Sequence, residues 1–337
     1  MRIEHHYPLK NHHTFHVAAF ARWFIEYENE EELCCILKDN RFQKCRLLPV
    51  GEGSNLLFVR DFEGVMLHSR IRGMETTDDT PENVLLSVGA AEHWDDVVAY
   101  SVAKGWGGIE NLSLIPGETG AAAIQNIGAY GEEIKDVIET VEAFNLHTLE
   151  KRIFTKEACG YRYRHSYFKE DNHDPYIIMR VNLRLQKKPH FKLDYGNLRE
   201  TLNDNEITLQ SIREAVIKIR QIKLPDPAIL GNAGSFFMNP VISLMQFEAL
   251  KAQYPDIPSF PATDGKIKIS AGWLIEQCGL KGFRDGNVGV YHKQALIIVN
   301  HDDATGEEIA RFAEHICQTV YQKFGILLVP EVKIIES

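Results

Sequence analysis

The stretch "IPGETGAAAIQNIGAYGEE", residues 115–133, constrains this chain more than any other. Gly117, Gly120, Ala121, Ala122, Ala123, Gly128, Ala129 and Gly131 crowd its central 15 positions. A segment so poor in large side chains gains little from hydrophobic burial, yet ordering its backbone costs entropy at every residue. A bound ligand, approached closely by backbone N–H groups, is one compensation; a tight connection between strands is the other reading. Gln125 and Asn126 can each donate and accept, as an amide-rich heterocycle requires. The residues alone suggest a phosphate-bearing cofactor without naming it.

A second small-residue run, "GEGSN" (51–55), lies between the apolar runs "RLLPV" and "LLFVR", which read as strand, turn and strand. Gly51 and Gly53 permit positive φ, and successive N–H groups there can face a phosphate. The run lacks the G-K-[ST] of a P-loop, and no helix follows it as a dinucleotide fold requires. A hairpin-like turn explains it as well. "GYRYRHSYFK" (160–169) gathers Arg162, Arg164, His165 and Lys169 among aromatic residues. Its alternation predicts a strand with Arg162 and Arg164 on one face, where a guanidinium can clamp a carboxylate. A solvated edge strand is the alternative. "KLPDP" and "GNAGSFFMNP" supply Lys223, Ser235 and Asn239. Ser235 is followed by Phe236 and Phe237, so the G-x-S-x-G elbow of hydrolases is absent. A packed or helix-capping serine remains open. "VPEVKII" sets one carboxylate, Glu331, in an apolar strand; it faces solvent or, if buried, needs a partner or a proton.

Around these segments the patterns are ordinary. A short helix is expected in "NEEELCCILKDN". Another is expected in "EHWDDVVAYSVAKGWGG", with Trp94, Val97, Val98 and Val102 on one face and Gly105 ending it. Residues 134–186 show period-two runs that predict antiparallel strands. The helix "SIREAVIKIRQIK" leads into "LPDPAILGNAG", whose prolines and glycines mark a domain boundary. Beyond it come a Ser270-capped helix, a buried strand "YHKQALIIVN", a helix opened by a Thr305/Glu308 capping box, and a last strand "ILLVPEVKII". The last third reads as α/β and the rest as α+β.

A net charge of −10 argues against a general nucleic-acid partner. No run approaches the roughly 20 apolar residues of a membrane span, and the N-terminus has no apolar core of signal-peptide type. A cytoplasmic protein is expected. The six cysteines, with no C-x-x-C, read as reduced and mostly packed. Among 14 histidines no zinc spacing occurs, so His5, His6, His12 and His13 read as solvated and no metal is expected.

In order along the chain, "GEGSNLLF", "IPGETGAAAIQNIGAYG", "GYRYRHSYFK", "KLPDP…GNAGSFFMNP", "SAGWLIEQCGLKG" and "PEVK" resemble the UDP-N-acetylenolpyruvoylglucosamine reductase family. The resemblance runs from about residue 11 to 333, and six segments in register make it specific. It implies an α+β chain: a two-subdomain FAD-binding unit of the vanillyl-alcohol-oxidase-like (PCMH-type) class, then a C-terminal α/β substrate domain. The boundaries implied are 1–70, with the tail 331–337 returning near it, 71–224, and 225–330. FAD would be held by Gly51, Gly53, Ser54, Asn55, Gly117, Gly120, Ala121, Gln125, Asn126, Gly128, Ala129, Tyr130 and Gly131. NADPH would reduce the flavin and leave. The enolpyruvyl ether of UDP-N-acetylglucosamine would then take hydride at C3 from flavin N5 and a proton at C2 from Ser235. Arg164 and Glu331 would stabilise the intervening enolate. Tyr163, Lys223, Asn239, Lys281 and Gln294 would bind substrate, and Tyr195, in the extra loop of the longer subtype, would fold over it. A monomer acting on a UDP-sugar, with no nucleic-acid or membrane partner, is expected. Three departures stand out: Met238 where lysine is common, Ala123 where proline is frequent, and Glu52 where glycine is usual. The alternatives are another FAD-dependent oxidoreductase on the same scaffold and a non-enzymatic binder. The second sits poorly with Arg164, Ser235 and Glu331, since pure binding needs no proton donor.

Overall fold

Two runs of strands, each broken by helices, organise the N-terminal part of the chain. The computed structural model describes residues 1–170, 173–202 and 206–336. They fall into two compact units. The first contains residues 1–7, 22–52 and 63–222; the second contains 8–21, 53–62 and the chain from Lys223 onward.

The chain begins with β1 (Arg2–Pro8), β2 (Phe20–Tyr27), α1 (Glu30–Lys38), β3 (Leu47–Val50), β4 (Leu56–Phe58) and β5 (Phe62–Ser69). Strands β1, β2, β5 and β3 form one sheet in that order. The polar segment "RIEHHYP" thus forms a strand that its composition conceals. β1 is an edge strand, so its side chains, His5 and His6 included, stay largely exposed. His13 departs from the solvated reading: it is buried. Helix α1 starts at Asn29, whose side chain accepts the Glu32 N–H, and turns Leu33 and Ile36 inward.

Residues 46–60 are not a hairpin. β3 runs parallel to β5, pairing Leu47 with Val65 and Val50 with His68, whereas β4 runs parallel to β20 (Lys333–Ile335). Each strand takes a partner remote in sequence, so "GEGSN" is a crossing from one sheet to another.

Next come β6 (Met74–Asp79), β7 (Asn83–Gly89), α2 (Trp94–Ala103), α3 (Thr119–Gln125), β8 (Gly128–Ala129), β9 (Glu132–Glu133), β10 (Ile138–Asn145), β11 (Lys151–Thr155) and β12 (Tyr176–Gln186). The period-two reading of 134–186 holds for 138–145, 151–155 and 176–186, which lie in an antiparallel sheet of order β11-β10-β12-β7-β6, while 134–136 form a short helical turn. The apolar face of α2 packs with strand residues such as Val84, Leu86, Val141 and Val181, and Gly105 (φ 74) follows its end. Helices α4 (Leu198–Leu202) and α5 (Leu209–Lys223) close the first unit around a smaller core.

The second unit continues with β13 (Gly231–Asn232), β14 (Val241–Ile242), α6 (Leu244–Gln253), β15 (Ser259–Pro261), β16 (Ile267–Ile269), α7 (Ala271–Gln277), β17 (Arg284–Asp285), β18 (Val288–Val290), β19 (Ile298–Asn300) and α8 (Gly306–Phe324). Its sheets, β13-β19-β18-β17 and β14-β16-β15, are antiparallel. Ser270 accepts from the Trp273 N–H, and Thr305 and Glu308 form the expected capping box. Helix α8 buries Ile309, Phe312, Ile316, Val320 and Phe324. Two expected strands are shorter than read. A turn (Tyr291 N–H to Ile297 O, 2.8 Å) uses up the first part of "YHKQALIIVN" and leaves only β19. In "ILLVPEVKII" Pro330, which offers no N–H, makes an isolated bridge with Phe237, and the continuous strand begins at Lys333.

Candidate active site

The small-residue segment owes its shape to packing at one end and hydrogen bonds at the other. Gly117 (φ 113) enters the turn, and the first N–H groups of α3 are tied down: Thr119 to Glu92 O and Gly120 to Ala90 O, both 2.9 Å. A Cβ on Gly120 would sit 3.0 Å from that of Ala90, and Ala122 and Ala123 are buried in the core. Among the described residues, the N–H groups of Gly117, Glu118 and Ala121 have no acceptor in the protein. Free N–H groups on a turn, with the Glu118 carboxyl drawn off to His68, are a donor set that fits a phosphate.

Asn126 ends α3 in the left-handed conformation (φ 45) and is buried. Its amide donates to Glu133 Oε2 at 3.2 Å and Arg162 O at 2.9 Å, and its oxygen accepts the Lys135 N–H at 3.2 Å. That side chain fastens the segment together. Gln125 accepts from Lys169 Nζ at 3.0 Å. β8 and β9 then form a hairpin whose turn residues, Tyr130 (φ 48) and Gly131 (φ 84), are both left-handed. Ala129 is half-buried.

"GYRYRHSYFK" is a tight turn, which corrects the strand reading. Arg162 and His165 exchange both backbone hydrogen bonds at 3.0 Å, and Arg164 between them has φ 54. The two arginines diverge. Arg162 donates to Glu170 Oε1 at 3.0 Å. Arg164 donates to Gly128 O at 2.7 Å and Asn126 O at 3.3 Å, with its guanidinium 5.4 Å from the Tyr163 ring. Arg164 is thereby held against the hairpin.

In the second unit Asn232, buried, donates to Leu230 O at 2.8 Å and accepts the Gly234 N–H at 2.9 Å. Gly234 (φ 67) then turns the chain so that Ser235 is exposed while Phe236 and Phe237 enter the core. Phe237 bridges Pro330, and Phe236 O accepts the Glu331 N–H at 2.8 Å. Ser235 and the half-buried Glu331 therefore lie on adjacent antiparallel chains. Asn239 Oδ1 accepts the Ala271 N–H at 3.0 Å at the start of α7, and Gln294 Oε1 would lie 3.3 Å from a Cβ on Gly272. Lys281 pairs with Glu276 at 3.0 Å; Lys223, ending α5, and Tyr195 are exposed. Met238 donates its N–H to Val329 O.

"GEGSN" straddles the division between the units, and its glycines have structural causes. A Cβ on Gly51 would meet Glu118 Oε2 at 2.8 Å, a carboxyl that also bonds His68 Nε2 at 3.0 Å. Gly53 has φ 69, and a Cβ there would lie 2.4 Å from His12 O. Glu52 pairs with His93 at 2.6 Å. Asn55 donates to Glu331 O at 3.0 Å and accepts the Lys333 N–H at 3.0 Å, which fixes the chain around Glu331. Ser54 is half-buried between them.

One arginine escaped notice in the sequence. Arg220 of α5 donates to Leu114 O at 3.2 Å, and burial pushes its pKa down while Tyr130 and Asp95 oppose this. One turn-pair earlier, Arg213 grips Asp95 with bonds of 2.7 and 2.8 Å. The i, i+7 spacing of two arginines beside the apolar stripe of α5 was the available signal. Among the described residues no three His, Cys, Asp or Glu side chains gather as a metal requires, and no helix is long and apolar enough to cross a membrane.

A family model described as UDP-N-acetylenolpyruvoylglucosamine reductase, C-terminal domain, matches residues 226–335, and one described as FAD binding domain matches residues 21–147. The UDP-N-acetylenolpyruvoylglucosamine reductase of Porphyromonas gingivalis (strain W83) is 51% identical over 99% of this chain and 100% of its own length. That of Bacteroides fragilis (strain NCTC 9343) is 45% identical over 99% and 100%. The crystal structure of the Thermus caldophilus reductase covers 99% of both chains with a TM-score of 0.69 at 24% identity, a likeness of fold. The fold is thus the expected one in its main division, an FAD-binding domain followed by the C-terminal domain of the reductase. With half its residues identical over the full length of such a relative, the chain belongs to the UDP-N-acetylenolpyruvoylglucosamine reductase family, whose members are FAD-dependent oxidoreductases.

Proposed function

We propose that the protein uses NADPH and FAD to reduce the enolpyruvyl group of UDP-N-acetylglucosamine enolpyruvate to the lactyl ether of UDP-N-acetylmuramate, a peptidoglycan precursor. In this reading residues 1–70 and 71–224 build the two FAD-binding parts and 225–330 the substrate domain. The free N–H groups of Gly117, Glu118 and Ala121 would hold the FAD phosphates, and the hairpin of Gly128–Gly131 would line the flavin. Bound FAD supplies the hydride, drawn from NADPH, that goes to C3. Every other task falls to side chains. Charge builds on C2 and its carboxylate, and a guanidinium stabilises it without a proton transfer of its own. Arg164 serves here, its turn conformation and its bonds to Gly128 and Asn126 limiting its freedom before substrate arrives. Glu331 shares a proton with the same carboxylate. Ser235 protonates C2. Tyr163, Lys223, Asn239, Lys281 and Gln294 contact the nucleotide.

The observation that supports this most is the pairing of Phe236 with Glu331, which sets a hydroxyl and a carboxyl on neighbouring chains, with Ser235 turned outward by Gly234. In stopped-flow measurements, Ser235→Ala should still have its flavin bleached by NADPH at a near-normal rate. Reoxidation by the enolpyruvyl nucleotide should slow at least about 100-fold, the usual scale of general-acid catalysis. Equal loss of both half-reactions, or a purified protein that holds no flavin, would sink the proposal.

A further inference from the structure

The segment that carries Tyr195 is fastened to the β8–β9 hairpin at three points. Asn111, 1% exposed, gives both hydrogens of its amide away, to Tyr130 O and to Lys192 O, each at 2.8 Å. Lys192 Nζ lies 2.9 Å from Glu132 Oε2 and 3.7 Å from Asp136. Tyr130 packs on the small core made by Leu193, Leu198 and Leu202 with Ile212, Val216 and Ile219 of α5. At the tip of the hairpin, a Cβ on Gly131 would lie 3.6 Å from Cβ of Tyr195. The Glu132 side chain is buried while that of Lys192 is half exposed, and burial pushes the Glu132 carboxyl up against the pull of Lys192.

We propose that Asn111 and Lys192 are positioning residues that hold the Tyr195 segment on the Gly128–Glu133 hairpin, so that one piece of backbone sets both the lining of the cofactor and the tyrosine over the substrate. The inference rests on the proposed function, in which Tyr195 covers the nucleotide. Neither residue touches a reacting atom. Asn111 acts through Lys192 O, three residues before the tyrosine, and through Tyr130 O, next to Gly131, whereas the Lys192 side chain acts through Glu132, the residue after Gly131. A loop held this way needs little ordering when substrate binds, and that lowers the cost of binding.

The test is a double-mutant cycle on the FAD-loaded enzyme, with steady-state kinetics and the NADPH half-reaction measured separately. Lys192→Met should raise KM for the enolpyruvyl nucleotide about tenfold, the scale of one charge-assisted hydrogen bond. Flavin content and the rate of flavin reduction by NADPH should stay at wild-type values, and Lys192→Arg should restore KM. In a Tyr195→Ala background, Lys192→Met should add almost nothing. An unchanged KM in Lys192→Met, or a full additional loss in the Tyr195→Ala background, overturns the inference. Equal loss of flavin content and of the NADPH half-reaction does so too, since it marks a merely structural role. If Tyr195→Ala alone leaves KM unchanged, the reading of Tyr195 as a substrate cover fails first, and the inference fails with it. Glu132→Gln gives the same comparison where Lys192→Met folds poorly.

Discussion

Acid should weaken this protein through one histidine. His13 is 2% exposed, with its ring edge-on to Phe58 at 5.3 Å and Nε2 3.0 Å from Val17 O. It also backs the "GEGSN" crossing: a Cβ on Gly53 would lie 2.7 Å from the His13 Cα. Burial pushes its pKa down from 6.5 to about 4; the bond to Val17 opposes this, and His16 and His12 add to it. The folded state therefore keeps His13 neutral where the unfolded chain would protonate it. Stability from this group is complete above pH 6.5, falls as pH drops toward 4, and then levels off. At about 1.4 kcal/mol per pH unit, the full loss is about 3 kcal/mol, and about 2 kcal/mol is gone by pH 5. Urea unfolding of wild type and His13→Gln at about pH 7.5 and pH 5 measures it. Glutamine keeps a donor for Val17 O and removes the titration, so the variant should lose about 2 kcal/mol less than wild type over that interval. All other titrating groups are common to both proteins and cancel. Equal losses would refute the reasoning, because His13 would then protonate in the folded state as easily as in the unfolded one.

Two further substitutions probe the packing beneath the site. In Gly128→Ala the new Cβ would lie 2.8 Å from Glu132 O and 3.0 Å from Arg164 Nη1. Displacing the guanidinium from Gly128 O forfeits a charged hydrogen bond, about 1.5–3 kcal/mol, so kcat/KM for the nucleotide should fall about 10- to 100-fold; an unchanged value in steady-state assays would contradict the role given to that contact. In Gly306→Ala the Cβ would lie 1.8 Å from Phe58 O, within the seam between α8 and β4. A clash with backbone cannot be relieved by a rotamer change, so the loss should exceed about 3 kcal/mol, and a melting temperature within about 2 °C of wild type would show that the seam yields.

Helix starts, apolar helix faces and antiparallel runs were legible because each is written within a few residues. Ser270 and Thr305 with Glu308 announce α7 and α8, and Trp94, Val97, Val98 and Val102 announce α2. The two strands around "GEGSN" were legible as strands, but their partners, 65–68 and 333–335, lie outside any local window. The pairing of Glu331 with Phe236 was hidden for the same reason. Within the site, residue type identified the segments but did not separate ligand-facing side chains from those that hold the segment in shape. Asn126 reads like Gln125, yet its donors and its acceptor are committed to Glu133, Arg162 and Lys135. Asn55 and Asn239 likewise bind backbone groups of their own unit. The arginine pair shows how the difference arises. A strand would put Arg162 and Arg164 on one face, as two equivalent clamps. The left-handed φ of Arg164 turns the chain between them instead, sending Arg162 to Glu170 and Arg164 to the carbonyls of Asn126 and Gly128. Of the two arginines, only Arg164 is tied to the small-residue segment through its side chain, so a carboxylate clamp beside that segment has to be built on Arg164.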